Sequence, residues 1–136
     1  MKLLISLVLA VTAYVVVGVA LALATQAVWP DALPVAGRRP EALSLLLVDL
    51  AGQCIACMAA GGCAMAPAGL RLRPVFVGVG MPLLAITLVC TLEAWSDMPD
   101  AYDIALLLLT APFFALGAAW RHAARKATIS TSYHAT

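Results

Sequence analysis

The sequence contains 136 residues, of which 64% are hydrophobic and only 11% are charged, and its formal net charge is +1. Soluble domains are about half apolar and about a quarter charged, so this composition excludes an ordinary soluble domain and indicates a membrane protein. A net charge so close to zero also argues against a nucleic-acid partner, which would require Lys and Arg clustered on one face.

Four stretches are long enough for a membrane-spanning helix, which needs about 20 predominantly apolar residues. They are Leu3–Trp29, Leu43–Ala66, Pro74–Trp95 and Tyr102–Trp120. The first far exceeds the apolar core of a signal peptide, about 7–15 residues, so we interpret it as a retained helix. The connections between the stretches are short and rich in Pro, Gly or charge, which predicts turns. The sequence therefore predicts an all-α, up-down bundle of four transmembrane helices in one domain over residues 1–127.

The Lys and Arg residues lie mostly on one side of the predicted bundle. That side carries Lys2, Arg71, Arg73, Arg121, Arg125 and Lys126, whereas the other side carries Arg38 and Arg39. Because cytoplasmic loops are enriched in Lys and Arg, this distribution predicts a multi-pass protein of the bacterial inner membrane with both chain ends in the cytoplasm.

Near the end of the chain, the sequence predicts a lipid contact and a tail. Arg121, Arg125 and Lys126 form a basic cluster beside the fourth predicted helix. Such a cluster favours anionic lipid headgroups by about 1 kcal/mol per charge. The following segment, Thr128–Thr136, is polar and aperiodic, which predicts a disordered cytoplasmic tail.

The second predicted helix has the composition of a helix at the centre of a bundle. Small residues recur in it at every fourth position, and Gly61 and Gly62 lie beside this stripe, which consists of Gly52, Ala56, Ala60 and Ala64. Small residues let the backbones of helices approach closely in lipid, so we expect this stripe to pack against neighbouring helices. In the third and fourth predicted helices, Pro82 and Pro112 are positions at which a kink is common.

The same helix carries Cys54 and Cys57, which are spaced i and i+3. One interpretation is a site for a soft metal ion such as Cu(I) or Hg(II). The other is structural, because Cys behaves as a small hydrophobic residue beside Ala and Gly. A site with four thiolates is excluded, because Cys54 and Cys90 differ in depth by about 10 Å at the helical rise. The pattern favours packing over metal transfer and over redox chemistry.

The Cys54-Ile55-Ala56-Cys57 motif is similar to the intramembrane cysteine pair of small mercury-transport proteins, although there the pair lies in the first span. Quinone-linked disulfide oxidoreductases also have four helices and a Cys-x-x-Cys near the second helix. Their pair lies at the outer end of that helix, with a second pair in an outer loop. The outer loops predicted for this chain contain no cysteine, so the resemblance to the oxidoreductases does not extend beyond the motif. The resemblance to the mercury-transport proteins shows no further match either.

Polar side chains from all four predicted helices lie at a similar depth. Asp49 is about 9 Å inside the second helix, and an ionisable group at that depth normally faces the bundle interior or water. Depth along the helices places further hydrogen-bonding side chains near it, namely Gln53, Tyr14, Thr87 and Thr110. This layer is either a proton or ion relay centred on Asp49 or a structural hydrogen-bond cluster. The second outer turn is bracketed by acidic residues that either concentrate cations at a pore mouth or, as the pattern favours, solvate the turn: Glu93, Asp97, Asp100 and Asp103.

The segment with Trp95, Met98-Pro99-Asp100-Ala101-Tyr102, Pro112 and Leu116-Gly117-Ala118 resembles small, uncharacterised four-span bacterial inner-membrane proteins. The first helix, with AVTAYVVVGVALAL, is similar in style. The shared features are general to membrane proteins, so the resemblance implies the architecture and no catalytic residue.

The sequence contains no nucleophile–base pair, no phosphate-binding loop and no His/Glu metal motif. We therefore expect a protein that is not an enzyme and has no cofactor. The leading hypothesis is a structural or accessory subunit that packs in the lipid bilayer against a copy of itself or a larger membrane complex. The alternative is a small transporter, either proton-coupled through Asp49 or specific for soft metal ions through Cys54 and Cys57.

Overall fold

The computed structural model describes residues 1–29, 43–67, 71–93 and 100–133, with the backbone alone at 93 and 128–133. Predictions that concern residues 30–42, 68–70, 94–99 or 134–136 lie outside this part of the chain, and they include the turn at Pro30–Ala42 and most of the turn at Ser96–Ala101.

Most of the described residues are helical, with α1 at Lys2–Val28, α2 at Leu43–Ala64, α3 at Leu72–Val75, α4 at Met81–Glu93 and α5 at Asp100–Tyr133. A π-helical turn at Phe76–Gly80 joins α3 to α4. Four segments are long and apolar enough to cross a membrane: Lys2–Val28, Leu43–Ala64, Leu72–Leu92 and Asp100–Ala127. The all-α class and the four long apolar helices are thereby confirmed.

Helix α5 is longer than the sequence predicts. It continues to Tyr133, whereas the apolar pattern ends at Trp120 and the polar composition predicts disorder from Thr128. The extension contains Ala123, Ala124 and Ala127 and no Gly or Pro. Because Ala has the highest helix propensity and no breaker interrupts the run, the backbone stays helical past the apolar part.

The two internal prolines have different local consequences. Pro82 lies two residues after the π-helical turn, which ends at Gly80. Because Pro lacks an N–H and its ring crowds the carbonyl four residues earlier, a wider π turn is a common way to accommodate it. Pro112 lies inside α5, and that helix continues through it without a π turn.

Helix α2 makes its main contacts with α1 and α5. Ser6 bonds to Ala64 and Tyr14 to Gln53, so α1 and α2 run in opposite directions. Tyr102 bonds to Asp49, near the start of both α5 and α2, so these two helices run in the same direction. The hydrophobic core lies among α1, α2, the α3–α4 segment and α5, and it consists of Ala10, Ala60, Ala64, Met65, Val75, Val79, Leu83, Phe114 and Ala118.

Helices α2 and α5 approach each other closely at two glycines. A methyl group added at Gly61 would overlap the backbone carbonyl of Phe114, and one added at Gly117 would overlap the carbonyl of Met58. The two glycines therefore let the backbones touch, which is the role of small residues at helix contacts in lipid.

The predicted small-residue stripe of α2 lies in the interior. Ala56, Ala60 and Ala64 are completely buried. At Gly52 an added methyl group would lie 3.8 Å from Leu21 of α1, an ordinary van der Waals separation. Among the glycines of α2, Gly61, one position beside the stripe, makes the closest contact with a neighbouring helix.

The last carbonyl groups of α2 and the residues after it are bonded by side chains of other helices. The hydroxyl of Ser6 donates to the carbonyl of Ala64. The guanidinium of Arg125 donates to the carbonyls of Ala66 and Pro67, the latter at 3.3 Å. These bonds satisfy acceptors that a helix end leaves without intrahelical partners. They also tie the end of α2 to α1 and α5.

Candidate functional site

A polar cluster lies in the interior between α1, α2 and α4. The hydroxyl of Tyr14 donates to Oε1 of Gln53 at 2.8 Å. The side chain of Thr87, which is 7% exposed, lies beside the same Tyr14 hydroxyl. Three of the side chains that depth alone had grouped are therefore in contact, and each comes from a different helix.

Both threonines of the predicted layer donate their hydroxyl protons to their own helices. Thr87 bonds to the carbonyl of Leu83 at 3.0 Å, and Thr110 bonds to the carbonyl of Leu106 at 2.8 Å. Cys57 lies beside Thr110. A hydroxyl has a single proton to donate, so these threonines are left with acceptor capacity alone toward neighbouring side chains.

Asp49 is not hydrogen-bonded to this cluster. Tyr102 of α5 donates its hydroxyl to Oδ2 of Asp49, and Asp49 is exposed on the surface of the chain. Gln53 lies four residues after Asp49, and four residues advance a helix by about 40° beyond a full turn. As a result Gln53 meets α1 while Asp49 meets α5. Tyr102, which depth along the helices did not group with Asp49, is the side chain that bonds to it.

Asp103 lies in the interior and not on the surface. It was expected to solvate a turn, yet it is 2% exposed, and within the described part of the chain its Oδ2 has no hydrogen-bond partner. Its position on α5 explains the burial, because a spacing of seven residues places it on the same face as Thr110, which is 3% exposed. That spacing is the signal in the sequence that identifies Asp103 as an interior residue.

The four cysteines are free thiols in different environments. Cys57 is buried, Cys54 and Cys63 are half-buried and Cys90 is exposed. Among the residues that the structure describes, no three His, Cys, Asp or Glu side chains are grouped closely enough to hold a metal ion. The pair Cys54/Cys57 therefore has no third ligand of these types in that part of the chain.

The basic cluster at the end of α5 is divided between two roles. Arg121 and Lys126 are exposed, whereas Arg125 is half-buried and bonds to the carbonyls at the end of α2. Arg125 was expected to contact lipid headgroups, but the structure places its guanidinium on the protein backbone. Net charge and spacing do not distinguish these two uses of an arginine.

No family model, no curated protein and no solved structure matches the chain. The function of the protein is therefore inferred from the geometry of the residues described above.

Proposed function

We propose that the protein is an integral protein of the bacterial inner membrane, folded as an up-down bundle of four spans with both chain ends in the cytoplasm. The support is the four long apolar helices and the excess of Lys and Arg at one end of them. In this orientation the Asp49–Tyr102 pair lies toward the periplasmic side and Arg125 toward the cytoplasm.

We infer that its function is that of an accessory subunit, which docks through the surface around Asp49 and Tyr102 onto another membrane helix. The observation that carries this proposal is the exposure of Asp49 within an apolar helix. A carboxyl group at that depth is costly when it faces lipid, and such groups normally face other helices or water. A second protein that covers Asp49 removes this cost, which makes association favourable.

The partner is a helix with a hydrogen-bonding side chain, supplied by a second copy of this chain or by a larger complex. The Tyr102 hydroxyl occupies one carboxylate oxygen of Asp49, and a carboxylate accepts several hydrogen bonds. The other oxygen is therefore available to a donor from the partner. A role of this kind requires no catalytic group and no cofactor.

Site-specific photo-crosslinking tests the proposal in native membranes. A photoreactive amino acid at Leu45 lies one helical turn before Asp49 on α2, and a matched one at Val19 lies on α1, where the side chain is 54% exposed. We expect a protein adduct from position 45 and none from position 19. The adduct should disappear in Asp49→Leu and persist in Asp49→Asn, because Asn keeps both a donor and an acceptor.

Two outcomes contradict this function. Equal adducts at positions 45 and 19 would indicate crowding without a defined surface. A complete absence of protein adducts at position 45, in a chain that is correctly inserted, would mean that Asp49 faces lipid.

A proton-coupled transporter is the second candidate, and the buried Asp103 favours it. Its carboxyl group lies inside the bundle, on the α5 face that also carries Thr110. In proteoliposomes with an imposed pH gradient, the wild type should then carry a proton flux that Asp103→Asn abolishes while the protein stays folded. A wild type without flux would leave the accessory role as the function supported here.

A further inference from the structure

The side of the α2–α5 contact that faces away from the core contains a groove of about 570 Å³. Gly62 and Gly117 leave the space open between the helices, and Ile55, Met58 and Trp120 form apolar walls. Trp120 is 72% exposed and Ile55 is 51% exposed. The volume falls within the range of about 300–1,000 Å³ that is usual for ligand sites in proteins.

One cationic side chain lines this otherwise apolar groove, namely that of Arg121. It is exposed, and unlike Arg125 it is not used to bond the end of α2. Arg121 follows Trp120 directly, at the level where a spanning helix leaves the hydrocarbon and aromatic rings settle. The groove therefore has an apolar length inside the membrane and a positive charge at its interfacial end.

We propose that this groove binds one anionic phospholipid of the cytoplasmic leaflet, with an acyl chain along Ile55, Met58 and Trp120 and the headgroup phosphate at Arg121. Charge complementarity selects this occupant, because basic pockets between spanning helices on the cytoplasmic side suit anionic headgroups. Arg also matches phosphate geometry through paired N–H donors. The site rests on the proposed membrane orientation and is independent of the docking surface at Asp49.

Quenching of Trp120 fluorescence by brominated lipids measures occupancy directly. In a Trp29→Phe, Trp95→Phe background Trp120 is the remaining tryptophan. The protein is reconstituted in two sets of bilayers. One contains dibrominated phosphatidylglycerol, and the other contains the same fraction of dibrominated phosphatidylcholine. We expect an apparent affinity about fivefold higher for the anionic lipid, since one Arg near the surface contributes about 1 kcal/mol.

Two variants separate the headgroup contact from the apolar groove. Arg121→Gln should remove the preference for the anionic lipid while quenching by both lipids remains. Gly62→Leu should fill the groove and reduce quenching by both lipids, because an added methyl group at Gly62 meets nothing closer than the Gly117 carbonyl at 3.8 Å. Its control is Gly18→Leu on α1, where nothing lies within 4 Å of an added methyl group.

The charge control is Lys126→Gln, which removes an exposed cation of α5 that does not line the groove. If this variant lowers the lipid preference as much as Arg121→Gln, the attraction is diffuse and the defined site is refuted. If Trp120 is quenched by neither lipid while Gly62→Leu disrupts an oligomer, the groove holds a helix and the lipid proposal fails. Failure of the photo-crosslinking at Leu45 would leave the lipid result unaffected, so the two proposals fail separately.

Discussion

The two ends of the α2–α5 pair are built differently. At one end Gly61 and Gly117 bring the backbones into contact, and Arg125 bonds to the carbonyls of Ala66 and Pro67. At the other end the contact is a hydrogen bond between Tyr102 and Asp49, and Asp49 is exposed. Backbone contact leaves no room for another helix between α2 and α5, whereas an exposed carboxyl group in an apolar helix favours association with a partner that covers it. The first end holds the fold together, and the second is available for association.

The largest loss of stability is expected when α2 and α5 are forced apart at the end that contains Gly61 and Gly117. Gly61→Ala places a methyl group on the Phe114 carbonyl, and because a backbone atom cannot rotate away, α2 and α5 must separate. We expect a loss of about 3 kcal/mol in the free energy of unfolding, the upper part of the range for overpacking. Denaturation in detergent measures it.

Gly62→Ala is the matched control, because its methyl group would lie 3.8 Å from the nearest atom, the Gly117 carbonyl. Equal stability of Gly61→Ala and Gly62→Ala would show that the close backbone contact is not present in the protein.

Removal of the Arg125 side chain should have the next largest effect. Arg125→Gln shortens the side chain so that the carbonyls of Ala66 and Pro67 lose a charged donor. Hydrogen bonds from charged groups contribute about 1.5–3 kcal/mol, so the free energy of unfolding should fall by about 1.5 kcal/mol for this half-buried side chain. Hydrogen exchange should increase at the last turn of α2.

Lys126→Gln, on the exposed surface of the same helix, should change neither the free energy of unfolding nor the exchange. A comparable loss in both variants would mean that the net charge of α5, and not the bond to α2, is what stabilises this end.

Replacement of the cysteine pair tests whether these thiols contribute to the packing of α2. Cys54→Ala/Cys57→Ala should cost about 1.2 kcal/mol, because it removes one buried sulfur at Cys57 and a half-buried one at Cys54. Association in membranes should not change. Stoichiometric binding of Cu(I) or Hg(II) by the wild type, lost in this double variant, would contradict the packing role and support metal transfer.

The smallest effect on stability is expected at the end where Tyr102 bonds to Asp49. Tyr102→Phe removes the hydrogen bond to Asp49, and such interhelical bonds in membranes average about 0.6 kcal/mol. Unfolding in detergent should therefore change little. Photo-crosslinking at Leu45 should nevertheless fall, because Asp49 loses the side chain that holds its orientation. If Tyr102→Phe unfolds more easily than Arg125→Gln, the Asp49–Tyr102 end stabilises the fold more than the Gly61–Gly117 end, which contradicts the roles given to the two ends.

The sequence was sufficient for the helices and insufficient for the directions in which their side chains point. Hydropathy places the helix ends of α1 and α2 within two residues of those observed, because the composition of a spanning segment is fixed by its environment. Depth along a helix likewise grouped Tyr14, Gln53 and Thr87. Rotation about the helix axis depends on contacts with neighbouring helices, and for that reason the partner of Asp49 was missed.

The roles of Asp103 and Arg125 show the same limit at the helix ends. Near a turn, a charged residue commonly faces solvent, so both residues were expected at the surface. The buried face of α5 could be found by its seven-residue spacing from Asp103 to Thr110. By contrast, the bond from Arg125 to Ala66 joins residues that are 59 positions apart, and no local pattern indicates it.

The length of α5 has a mechanical consequence. Its 34 residues correspond to about 51 Å at the helical rise, and the hydrocarbon core of a bilayer is about 30 Å thick. In the proposed orientation, the helix accordingly extends into the cytoplasm as a rigid rod, anchored to α2 at Arg125. A reporter fused to this end would be held at a fixed height above the headgroups. Any tilt of α5 within the bilayer would move that reporter sideways, so distance measurements to it would record motion of the bundle.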